Sequence, residues 1–148
     1  MVLFPVVRDP GSIELLLKHI RSSGVPPVAD GSYMRDQGFR REGDDNLREL
    51  LLFLGFIDDQ SRPTDLWVEY RETGPIGARL LAAAVRTGYA PLLAICPGAT
   101  DQGVAEVVPH FRKLTSSPDT ELTLMYYTFR VLCDLAGPAV KENLPSLA

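Results

Sequence analysis

Two histidines, two cysteines and two pairs of adjacent aspartates carry most of the chemical potential of this 148-residue chain. Their spacing supports little. His19 and His110 have no cysteine or carboxylate at ligand spacing, so no metal site is expected. Cys96 and Cys133 lie far apart without a C-x-x-C, and read as two buried thiols of a reducing compartment. Asp44-Asp45 and Asp58-Asp59 could attract a cation, but they fall where a helix cap and a turn are expected, and no EF-hand loop surrounds them. Trp67, Tyr70 and Tyr89 could stack on a base, although aromatic residues at helical spacing belong more naturally to a core. A G-x-S-x-G elbow, a P-loop and a G-x-G-x-x-G turn are all lacking. No catalytic residue and no cofactor is assigned, and the chain is expected not to be an enzyme.

The charge pattern gives a second line of argument. A net charge of −4 speaks against a strongly basic nucleic-acid binder. Twelve of the fifteen basic residues are nevertheless arginine, the side chain suited to planar, bidentate contacts. Five of them, Arg35, Arg40, Arg41, Arg48 and Arg62, cluster in the first half and are the candidate nucleic-acid-binding residues. Eight acids lie in or beside the same stretch, including Asp36, Glu49 and Asp58. Phosphate binding therefore requires the fold to place the two sets on different faces.

The elements that would position these residues are helices. Asp9-Pro10 is a cap followed by proline at the first helical position. Ile13, Leu16, Leu17 and Ile20 then form one apolar face, which Gly24 ends. A short helix is expected from Asp30 to Gln37. A third, capped by Asp44 or Asp45, carries Leu47, Leu50, Leu51 and Leu54. Phe56-Ile57 is β-type, the stretch to Pro63 has turn chemistry, and a fourth helix carries Leu66, Trp67 and Tyr70. Three more helical segments follow: one around Leu80 to Gly88, one over 101–114 that Pro109 should kink or split, and a long one opened by Ser117-Pro118-Asp119. That last helix is apolar on most sides, which places it in the centre of a domain or in an oligomer interface. Leu124, Tyr127, Val131 and Leu135 are the candidate interface residues.

The order of three helices, a β-type stretch and a polar turn is that of a winged helix-turn-helix, whose third helix reads the major groove. The expected fold is mainly α: a winged-helix-like half (residues 1–73) packed on a C-terminal helical bundle (74–137), with at most a minimal β wing. One domain is expected over 1–148, with a loose tail from 138. Leu50, Leu51, Leu54, Leu81, Phe129 and Leu132 are the expected core.

Gly24-Val25-Pro26, Gly38-Phe39, the run Leu50 to Asp58, Pro63-Thr64, Tyr70-Arg71, Arg86-Thr87-Gly88-Tyr89, and Thr128-Phe129 with Leu132 resemble a family of small bacterial and archaeal proteins catalogued as a domain of unknown function. The resemblance runs from about residue 4 to 136, implies one helical domain and transfers no catalytic residue. One departure is that Asp59-Gln60-Ser61-Arg62 lacks the glycine expected before Pro63-Thr64.

Two functions of different class follow. The first is a non-enzymatic nucleic-acid-binding or regulatory protein, with DNA or RNA as partner. The alternative is an adaptor or oligomeric accessory subunit, with a protein encoded nearby or a second copy as partner. With no apolar run near the ~20 residues of a membrane span and no basic leader at Met1 to Pro5, a cytoplasmic protein is expected.

Overall fold

The first apolar stripe folds as read. In a computed structural model that describes residues 3–40, 46–72 and 77–141, α1 (Gly11–Ser22) buries Ile13, Leu16, Leu17 and Ile20. The Asp9 carboxylate accepts from the Gly11 N–H (3.2 Å) at its start. α2 (Gly31–Asp36) is capped by Asp30, whose side chain accepts from the Tyr33 N–H at 2.9 Å. Gly38 then takes a left-handed φ of +99°, and the N–H groups of Gly38 and Phe39 close the helix end on the carbonyls of Arg35 and Met34. This reversal brings the Phe39 ring edge-on to His19, 5.9 Å between centroids.

α3 (Leu47–Leu54) buries all four of its stripe leucines. The chain then makes an isolated antiparallel bridge between Ile57 and Pro63, the only β pairing among the described residues. The turn inside it shows why the expected glycine is dispensable. Ser61 itself adopts the left-handed conformation (φ +63°), with its N–H on the Asp58 carbonyl and its own carbonyl accepting from Ala29. α4 (Asp65–Glu72) follows and buries Trp67 and Tyr70.

The second half adds α5 (Gly77–Gly88), α6 (Ala90–Ile95), α7 (Val104–Leu114) and α8 (Asp119–Ala136). α6 was not expected; Pro91 in its first turn is the start signal that was there to read. α7 runs through Pro109 without being split. The tail expected from 138 is ordered further than read: Gly137–Lys141 forms a 3-10 turn against α5. Buried Val140, an Arg86 guanidinium bond to the Ala139 carbonyl and a Lys141–Asp101 ion pair (2.6 Å) fasten it.

α8 is the centre of this half, packed by α5, α7, the 3-10 turn and α1. Its inner face meets an aromatic cluster built on Tyr89, which stacks on Phe4 (5.3 Å) and takes the edges of Phe53 (4.9 Å) and Phe129 (4.7 Å). Phe4 and Val7 belong to an extended N-terminal segment, pinned where the Val7 N–H donates to Thr128 Oγ1 at 2.9 Å. One connected core therefore joins both halves, and all six leucine and phenylalanine residues expected in it are buried. The chain is mainly α, with eight α-helices among the described residues. None of these is long and apolar enough to cross a membrane.

Candidate functional site

Of the described candidate arginines, Arg48 and Arg62 engage the 58–62 turn, while Arg35 and Arg40 stay exposed at the end of α2. Arg48 on α3 turns its guanidinium onto the 58–62 turn, with Nε donating to Ser61 Oγ at 2.6 Å and Nη2 to the Asp59 carbonyl at 3.2 Å. Arg62 pairs with Asp58 at 2.9 Å, i and i+4 within the same turn. Asp58 Oδ1 also accepts the backbone N–H groups of Arg62 and Gln60, and these bonds hold its carboxyl below the usual range. Two of the five cations thus build the turn. Arg40 bends back so that Nε donates to the Arg35 carbonyl (2.8 Å), completing the α2 cap while its side chain stays exposed. Arg35 is exposed on α2. Arg41 lies outside the described residues, as do Asp44 and Asp45. The solvent face of α3 shows Glu49 and Leu52, an acid and an apolar residue where a groove-reading helix would offer donors.

The four residues picked on α8 do come together. At about 100° per residue, Leu124, Tyr127, Val131 and Leu135 fall in one stripe. Tyr127 is 44% exposed; Leu124, Val131 and Leu135 are half-buried. Val131 and Leu135 lean on the core with their inner sides. Leu135 also lines a cleft of about 230 Å³ between α1, α4, α5 and α8, together with Leu17 and Tyr70 and a rim of Glu14, Lys18 and Arg21. Arg21 lies over the Tyr70 ring at 4.7 Å, in space that Gly77 leaves open by having no side chain. The stripe is therefore continuous with an apolar cleft edged by charge.

A feature the sequence did not announce lies on the other side of α1. His19 Nε2 and Tyr33 Oη are 2.7 Å apart, and Nδ1 is 3.2 Å from Ser23 Oγ. The imidazole bridges α1 to α2 through the Tyr33 hydroxyl and meets the Ser23 hydroxyl at the end of its own helix, and burial lowers its pKa. A cleft of about 400 Å³ opens beside it, between Leu15 and Phe39. Fourteen residues separate His19 from Tyr33, so no local spacing could reveal the pair.

The remaining chemistry-bearing groups are internal. Cys96 and Cys133 are free and buried, and burial pushes the Cys133 thiol up to about 12. Among the described residues, no group of three or more His, Cys, Asp or Glu is placed to hold a metal ion. The Tyr89 hydroxyl is buried with no hydrogen-bond partner, and burial raises its pKa.

Residues on which the resemblance rests hold defined places in the fold: Gly38 and Phe39 at the α2 cap, Gly88 and Tyr89 beside the aromatic core, Thr128 and Phe129 on the inner face of α8. The chain belongs to a family of unknown function (DUF5343), whose model matches residues 5–142. The resemblance read from the sequence is thereby established at the level of the family. Comparison with curated proteins and with solved structures finds no match.

Proposed function

We propose that this chain is a non-enzymatic interaction module, an adaptor or accessory subunit that pairs with a second copy of itself through the outer seam of α8. The observation that carries the proposal is that α8 keeps Leu124, Tyr127, Val131 and Leu135 partly open after its inner face is fully packed. Steps of three, four and four residues are those of a helix–helix seam. A two-fold axis across the middle of the seam sets the two copies of α8 antiparallel, the default closed symmetry for a self-pairing chain.

The seam runs only about 16 Å along the axis, so pairing in the micromolar range is expected rather than an obligate dimer. Light scattering from low micromolar to near-millimolar concentration tests it. The mass should rise toward twice that of the monomer and fall back in Tyr127→Lys, an exposed change that leaves the core intact. A constant monomer mass for the wild type contradicts the proposal. Two buried free thiols suit a reducing compartment and so a cytoplasmic protein.

Nucleic-acid binding through a winged-helix-like N-terminal half is the second reading. Its support is the order of α1, α2, α3 and the Ile57–Pro63 bridge, with Arg35 and Arg40 exposed at the end of α2. Against it stand the internal bonds of Arg48 and Arg62 and the acid on the outer face of α3. Titration of duplex DNA, and separately RNA, at low and moderate salt decides it. Salt-sensitive binding lost in Arg40→Ala/Arg41→Ala supports this reading, and absence of binding at low salt removes it.

A further inference from the structure

We infer that the cleft between α1 and the end of α2 is a binding site for a small amphipathic anion, such as an arylalkyl carboxylate. Its volume, about 400 Å³, lies in the range of small-molecule sites, which combine apolar walls with a few placed polar groups. Leu15 of α1, 52% exposed, forms one wall and Phe39 the other. Such an exposed leucine facing a phenylalanine gives an apolar body somewhere to lie.

The charge of the lining sets the sign of the ligand. Among the described residues that line it, Lys18 carries the one fixed charge and there is no aspartate or glutamate. Two helices end at this cleft, and part of their carbonyl ends is taken up: the His19 carbonyl accepts from the Ser23 N–H (3.0 Å) and from Ser22 Oγ (3.4 Å), and the Arg35 carbonyl from Arg40 Nε and the Gly38 N–H. Lys18 and Gln37 add a cation and an amide to the lining. Among the described residues Lys18 pairs with Glu14, at 3.3 Å and with both side chains more than half exposed, a pair weak enough for a ligand carboxylate to displace.

The wall is kept rigid rather than reactive. His19 has both ring nitrogens engaged by Tyr33 and Ser23, so it fixes the distance between α1 and α2 and holds the edge of Phe39. Gly38, at φ +99° with nothing within 4 Å of where a Cβ would stand, keeps the mouth open.

Phenylacetate is the probe, with benzylamine as its counterpart of the same size and opposite charge. Each is titrated into the full chain and followed by backbone amide shifts in nuclear magnetic resonance. Phenylacetate should move the amides of residues 12–22 and 37–39 and little else, and benzylamine should leave them in place. Lys18→Glu, on a solvent-exposed side chain that the fold does not need, should weaken phenylacetate binding at least about fivefold. Glu14→Gln, which frees the ammonium, should tighten it. Shifts confined to another surface, no shifts at millimolar probe, equal response to benzylamine, or indifference to Lys18→Glu would each overturn the assignment.

Discussion

Replacing Gly88 by alanine should destabilise the protein, although the same change in a helix ordinarily stabilises. Gly88 ends α5, and its φ is not left-handed. A methyl group there would normally help by about 0.5–1 kcal/mol by restricting the unfolded chain. A Cβ at this position, however, would stand 2.6 Å from Phe53 Cε2 and 2.7 Å from Cζ. Those distances are far inside van der Waals contact, so the ring must leave. Phe53 is held by edge contacts to Tyr89 (4.9 Å) and Phe4 (6.1 Å), which displacement would disturb. Overpacking of this kind costs about 1–3 kcal/mol, and the balance is a net loss of up to about 2.5 kcal/mol, centred near about 1 kcal/mol. Urea denaturation followed by circular dichroism reads it directly. Gly31→Ala is the control, because its new Cβ would meet only Arg35 Nη1 at an ordinary 3.5 Å. With Phe53→Leu in the background, Gly88→Ala should return to neutral or stabilising, a coupling of about 1 kcal/mol or more. A stabilised single variant, or a loss unchanged by Phe53→Leu, would refute the argument.

Ser61→Ala should cost about 2 kcal/mol by removing the charge-assisted bond from Arg48. Ser61→Gly loses the same bond but relieves a left-handed backbone costing about 1 kcal/mol, so it should be the more stable of the two; the reverse order in chemical denaturation would contradict the turn described here. His19 sets a pH dependence. Its folded pKa is lowered by burial, so the unfolded chain binds more protons between that value and the ordinary pKa near 6.5. Stability should therefore be full at pH 7.5 and decline as pH falls through that window, and His19→Gln should flatten this part of the curve. A wild-type profile as flat as the variant's would show that the imidazole is not held neutral.

The apolar stripes of α1, α3 and α8 were legible because each repeats at helical spacing between clear stop signals, as with Ile13 to Ile20 before Gly24. α6 was not, because six residues starting one position after Gly88-Tyr89 give no room for a repeat. Pro109, expected to kink or split its helix, does not split it. A proline costs a helix one N–H bond and a local clash, and packing of Val107 and Phe111 on either side of it carries α7 through. The outer stripe of α8 could be picked from the sequence because the helix has more apolar positions than one face needs. The cleft beside His19 could not, since it depends on where Gly38 sends the chain and on a contact between residues fourteen apart. The number of arginines was visible, but the bonds of Arg48 and Arg62 to the 58–62 turn were not, because their partners Ser61, Asp59 and Asp58 are set by how that turn folds.

Disulfide trapping across the seam tests the central claim most directly. Cys96 and Cys133 are buried, so a thiol introduced on the outer face of α8 dominates the reaction. In an antiparallel pair centred near the middle of the stripe, position 131 lies close to its own symmetry mate, whereas exposed Thr123, one turn before Tyr127, stands about 20 Å along the axis from its mate. Mild oxidation of Val131→Cys should give a covalent dimer at micromolar protein, with Thr123→Cys remaining monomeric under the same conditions. Equal cross-linking of the two variants, or none from Val131→Cys, would contradict self-association through α8.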